Sequence, residues 1–147
     1  MILQRYQYPE KKFRTVHRDD MYHEIRAHDR TGLFSEMVDL FLMSFAIGFH
    51  RGIYKTVSGP DAINHVNNSA VSSTNQDLII ILMLDRHPEL ESREDLWKLV
   101  EAYAEGGIEI LYDSLYRNEW ILDIDDVLVR LSPRLGMLMI DPSLTVT

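Results

Sequence analysis

The sequence predicts an all-α protein, a single compact helical domain spanning residues 1–147 with about five to six helices around a buried central helix. Three observations carry this. The stretch Phe34 to Gly52, FSEMVDLFLMSFAIGFHRG, repeats apolar residues at three- and four-residue steps (Phe34, Met37, Val38, Phe41, Leu42, Phe45, Phe49) and is apolar on its opposite face from Leu40 to Ile47. The run Leu78 to Leu84, LIIILML, is apolar throughout. Ser92-Arg93-Glu94-Asp95 opens a third stretch with a cap residue and first-turn acids ahead of Leu96, Trp97, Leu99, Val100 and Tyr103.

Taken in order, residues 1–16 read as an N-terminal arm in which Arg5, Lys11, Lys12 and Arg14 alternate with Tyr6, Tyr8 and Phe13. An arm that packs its aromatics on the body accounts for this composition. So does a stacking platform for single strands. Residues 18–28 form a short helix whose Asp19 and Asp20 suit the positive end of its dipole. Arg30-Thr31-Gly32 turns the chain into the central helix, which Ser35 caps and His50, Arg51 and Gly52 close. Within it, Ser44, Gly48 and Gly52 fall four apart, a spacing that lets another backbone come close.

From Tyr54 to Thr74 the sequence predicts a long polar loop, with a turn at Ser58-Gly59-Pro60-Asp61 and a short helical turn from Asp61 to Val66. The following LIIILML run has the length of a buried strand or a buried helix. Helix is the reading taken, because Asn75 can cap it and no partner strand is evident. Residues 93–105 form an amphipathic helix, Gly106-Gly107 break or kink it, and Ile108 to Tyr116 continue the stripe. A last helix is expected near Ile124 to Leu131, ended by Ser132-Pro133, and an apolar tail follows at Met137 to Ile140.

Composition narrows the function classes. The chain has no cysteine, which removes a disulfide framework, a thiolate metal site and a cysteine nucleophile, and fits a reducing cytoplasm. MILQRYQYPEKK has no apolar core of signal-peptide length, and no apolar run reaches the ~20 residues that span a bilayer, so a cytoplasmic protein without membrane contact is expected. Charge is uneven. Residues 1–55 hold nine basic and seven acidic residues, a net of +2, and residues 56–147 hold six and 16, a net of −10. The acidic part argues against nucleic acid wrapping the whole surface and leaves a local contact through the first third.

Catalytic signatures are missing. Asp20, His23, Glu24 and His28 lie close together, but there is no HExxH, and His23 and His28, five apart, diverge around a helix. Gly106-Gly107 have no GK[ST] after them, and no GxSxG elbow occurs. The sequence therefore assigns no catalytic residue, no metal ligand set and no cofactor.

The RTGLF turn at 30–34, the FAIGFHRG helix end at 45–52, the DLIIILML run at 77–84 and the EAYAEGGIEILYDSL segment at 101–115 together resemble small accessory proteins encoded beside prokaryotic DNA phosphorothioation (Dnd-type) restriction clusters. The resemblance covers residues 14–118 and implies a cytoplasmic accessory factor of a phage-defence system, with no catalytic residues to carry over. The expectation is thus a non-catalytic interaction subunit that docks on a protein partner or on itself through Phe41, Phe45, Phe49, Gly48 and Gly52. The alternative is a nucleic-acid-binding regulator using Arg5, Lys11, Lys12, Arg14 and Arg18. A metal-dependent enzyme built on Asp20, His23, Glu24 and His28 ranks third.

Overall fold

The computed structural model describes residues 2–7, 12–16, 19–57, 62–67 and 70–122. The fold is mostly helical, as expected. Its described elements are α1 (Ile2–Arg5), β1 (Lys12–Val16), α2 (Asp19–Ala27), α3 (Met37–Arg51), β2 (Ala62–Asn67), α4 (Ser73–Arg86) and α5 (Arg93–Arg117). The helix and the tail expected within 124–140 lie outside the described residues.

The centre of the molecule is the crossing of α3 and α5, and glycine makes it possible. A methyl group on Gly107 would stand 1.7 Å from the Ser44 carbonyl oxygen, and one on Gly48 would stand 2.0 Å from that of Tyr103. Both obstacles are backbone, which cannot swing aside. The backbones therefore meet at van der Waals range, and the flanking Leu40, Phe41, Ile47, Val100, Ala104, Ile108 and Leu111 are buried between the helices and their neighbours. Gly106 serves the segment after α3 in the same way, since a methyl there would lie 2.8 Å from the Ile53 carbonyl oxygen. That segment is fixed to α5 by the Lys55 N–H, which donates to the Ala102 carbonyl at 3.0 Å.

This corrects one expectation. Gly106 and Gly107 do not break α5, which runs as one helix of 25 residues. The helical penalty of two glycines, about 1 kcal/mol each against alanine, is outweighed by the packing that only glycine permits. With that division gone, four helices of nine residues or more stand among the described residues, besides the single turn of α1.

A second correction concerns the arm and the loop. Within each lies a strand, and β1 and β2 pair antiparallel, with Phe13 opposite Val66 and Val16 opposite Ala62. Residues 62–67 are thus extended, not a helical turn. Phe13 and Thr15 point inward and are buried, the period-2 alternation of a half-covered strand. Phe13 stacks on Phe41 with ring centres 4.3 Å apart. The arm also docks through Tyr6, whose hydroxyl donates to the Leu90 carbonyl (2.8 Å) and whose carbonyl accepts from the Trp97 indole (2.7 Å).

The helix ends follow ordinary chemistry with small shifts. Ser92 caps α5 as predicted, accepting from the Asp95 N–H at 3.1 Å. α4 begins three residues earlier than expected. Ser72 is its cap and Asn75 supplies the N–H that the serine oxygen accepts. α3 starts from Glu36, not Ser35, and Asp39 reaches back to accept the Glu36 N–H at 3.1 Å. Gly52 ends it in the left-handed conformation, φ 72°.

Candidate functional site

The interaction residues expected on α3 are mostly core. Phe41 is fully buried, Phe45 is 4% exposed, and Phe49 is half-buried beneath Arg86. Gly48 is spent on the crossing with α5 and Gly52 on the helix terminus. Most of the apolar circumference of α3 is therefore covered inside this chain, with Leu42 and Met43 half-buried and Ala46 exposed. Phe45 and Phe49 pack edge-on against Tyr103, whose hydroxyl bonds His87 Nε2 at 2.6 Å.

Among the described residues, Leu33, Tyr54, Tyr116 and Ile121 are exposed singly, and a group of exposed apolar side chains lies on α4. Its inner side is Ile79, Ile80 and Met83, all buried. Its outer side carries Leu78 (54% exposed), Ile81 (52%) and Leu82 (38%), which share one face because positions 78, 81 and 82 are separated by three and four residues. Both helix ends are closed within the chain, by Ser72 at the start and by the His87 N–H on the Met83 carbonyl at the finish. Arg86 is committed as well: its guanidinium lies 3.6 Å from the Phe49 ring centre and donates to the Phe49 carbonyl. α4 is thus anchored by one side and its C-terminus, leaving an apolar stripe in water. Its signal in the sequence was the unbroken run Ile79 to Leu82, which puts apolar residues on every side of the helix.

Of the five basic residues expected to meet nucleic acid, Arg5 and Arg14 are engaged by the protein. Arg5 donates to the Glu91 carbonyl at 3.0 Å and lies over the Tyr6 ring. Arg14 lies 3.8 Å from the buried Glu101 carboxylate. Lys12 belongs to β1, while Lys11 and Arg18 fall outside the described residues. Of the other first-third arginines, Arg26 donates to the Phe34 and Ser35 carbonyls, whereas Arg30 is exposed.

The acidic and histidine cluster of α2 is likewise dispersed. Glu24 accepts from the Tyr112 hydroxyl at 2.7 Å, which pushes the Tyr112 pKa up to about 12. His28 stacks flat on Trp120, centres 4.2 Å apart. Among the described residues, no three His, Asp or Glu side chains are placed to hold a metal ion.

Two further features were not anticipated. Glu101 and Glu105, one turn apart on α5, are buried at 5% and 3% exposure against β1. The strand pairing slips by one residue between Phe13 and Arg14, and the Arg14 N–H donates to Glu101; the Thr15 hydroxyl donates to Glu105 at 2.6 Å. Burial pushes the Glu101 pKa up to about 7, with the neighbouring Glu105 charge adding to it, against the lowering effect of the Arg14 N–H and charge. The pair clamps the ribbon to α5.

The other feature is a cleft of about 170 Å³ between α2, the 29–34 turn and the end of α5, walled by Ile25, Phe34, Leu115 and Trp120. Glu119 and Trp120 adopt left-handed backbone, φ 54° and 65°, which swings the indole onto His28. Asp29 organises the turn by accepting from Thr31 and Phe34. Burial raises its pKa, but these bonds outweigh burial and hold it below the usual carboxylate range.

No family model, curated protein or solved structure matches the chain. Among the described residues, no helix is long and apolar enough to cross a membrane.

Proposed function

We propose that this chain is a non-catalytic interaction subunit that works through protein–protein contact, with the outer face of α4 as its docking surface. The observation that supports this reading is the exposed stripe Leu78, Ile81 and Leu82 on a helix that is fully capped and anchored without it. Leaving these half-exposed residues in water forgoes about 1 kcal/mol for each large aliphatic side chain that a partner would finish burying. On the resemblance of the 30–34, 45–52, 77–84 and 101–115 segments, the partner belongs to a DNA phosphorothioation-linked phage-defence system.

Its test is recovery of the tagged chain from its host with and without nuclease, beside a Leu78→Asp, Ile81→Asp variant. The reading expects a nuclease-resistant partner held by the native chain and lost from the variant. A partner retained by the variant contradicts it. The nucleic-acid alternative has less to draw on, since Arg5, Arg14 and Arg26 already hold protein groups. It regains ground if the chain binds DNA or RNA at low salt and loses that binding in a Lys11→Glu, Lys12→Glu, Arg14→Glu variant.

A further inference from the structure

The outer face of α4 carries acidic as well as apolar side chains. Asp85 lies on the same face as Leu78 and Ile81, and Asp77 borders it. Neither carboxylate has a hydrogen-bond or ion-pair partner among the described residues. The nearest basic residue in sequence, Arg86, is turned onto the Phe49 ring and carbonyl. The α4–α5 connection adds exposed Glu91 and Asp95, while Glu89 approaches His87 Nδ1 at 3.3 Å and Glu94 pairs with Arg93 at 3.2 Å. Any partner that covers the stripe brings its own flanking groups up to Asp77 and Asp85.

We infer that the occupant of this face is an amphipathic helix from another protein, with lysine or arginine flanking its apolar stripe, and not a second copy of this chain. The inference rests on the reading of α4 as the docking surface. Helix-on-helix packing fits because Thr74, Leu78, Ile81 and Asp85 recur at steps of four, three and four, the row that a second helix meets. The width fits too: one helical stripe is narrower than the ~800 Å² a side that a standard protein interface buries, and suits a docked helix more than a dimer of domains.

Charge separates the two occupants. In an antiparallel pair with Ile81 on Ile81 of a second copy, Asp77 comes opposite Asp85 of that copy. In a parallel pair each aspartate lies beside its own counterpart. Both arrangements set acid against acid in chains of net charge −8, whereas a basic-flanked helix gives Asp77 and Asp85 the partners they lack.

The experiment uses the full chain and two fluorescent peptides of about eighteen residues, long enough for about five helical turns. Both carry the same Leu/Ile stripe, flanked by lysines in one and by glutamates in the other. Anisotropy is read at low and high salt, and sedimentation gives the mass of the free chain. The expected results are a monomer and a preference for the lysine peptide of about threefold to tenfold at low salt, as two exposed ion pairs allow. The preference shrinks at high salt, disappears in an Asp77→Asn, Asp85→Asn variant that still binds both peptides, and gives way to no binding in a Leu78→Asp, Ile81→Asp variant.

Equal affinity for both peptides, or a preference that survives Asp77→Asn, Asp85→Asn, overturns the inference while leaving α4 as the docking surface. A dimer that the Leu78→Asp, Ile81→Asp variant dissociates also overturns it, in favour of a second copy on the same face. A monomer that binds neither peptide overturns both the inference and the reading beneath it.

Discussion

Helices α3 and α4 share a composition and differ in fate. Each is apolar around most of its circumference, yet α3 is largely enclosed by α5, the ribbon and the rest of the chain, with only Ala46 of its apolar residues exposed, while α4 is covered on one side only. Small residues make the difference. Ser44 and Gly48 on α3 meet Gly107 and the Tyr103 backbone on α5, so the two helices close to backbone contact and their flanking side chains interlock. α4 has no glycine; it buries Ile79, Ile80 and Met83, and the His87 that follows it bonds the Tyr103 hydroxyl of α5. All-round apolarity therefore says that a helix must be covered. The distribution of small residues says whether the chain covers it itself.

The most damaging changes should fall on α3 and its crossing. Phe41→Ala removes a ring stacked on Phe13 in the fully buried core and should cost about 3–5 kcal/mol in denaturant unfolding. Gly107→Ala should cost about 1–3 kcal/mol or more, because its methyl meets the Ser44 backbone and the gain in helix propensity is only about 1 kcal/mol. A stabilised Gly107→Ala protein would show that the crossing is loose, and the contrast between the helices would fail.

Within α4 the two sides should separate cleanly. Ile80→Ala, on the buried side, should cost about 2–5 kcal/mol, and Ile81→Ala, one residue on, should stay within about 0.5 kcal/mol of the native protein. Equal losses would mean that the outer face is covered in the folded chain.

A smaller effect concerns the ribbon clamp. Because Glu101 binds its proton more tightly in the folded state than in the unfolded one, its contribution is greatest at acid pH. It is lost as pH rises from about 4.5 to about 7, at no more than about 1.4 kcal/mol per pH unit. Glu101→Gln should flatten that slope in thermal melts taken between pH 5 and 8. An unchanged slope would assign the pH dependence to other groups.

Much of this was legible from local signals. Ser92 and its first-turn acids marked the start of α5, Asp19 and Asp20 marked α2, and the LIIILML run gave α4, since caps and 3.6-residue periodicity act within a few residues. The ribbon was not legible, because β1 and β2 are five and six residues long and lie 45 residues apart, and their pairing is decided by Phe13 reaching Phe41 and Trp97. The glycine pair misled for the opposite reason. Locally it signals a break, and only the approach of α3 turns it into a contact. The exposed apolar stripe was expected on α3 and lies on α4 for the same reason: periodicity names an apolar face without saying which neighbour covers it.

The central claim, that the outer face of α4 is surface in this chain and interface in an assembly, is tested most directly by the Leu78→Asp, Ile81→Asp variant. Its unfolding midpoint and its association with a partner should be measured side by side. The account predicts a midpoint within the range of surface substitutions, about 0.5 kcal/mol of native stability, together with loss of the partner. Collapse of cooperative unfolding, or a partner held as tightly as before, would contradict it.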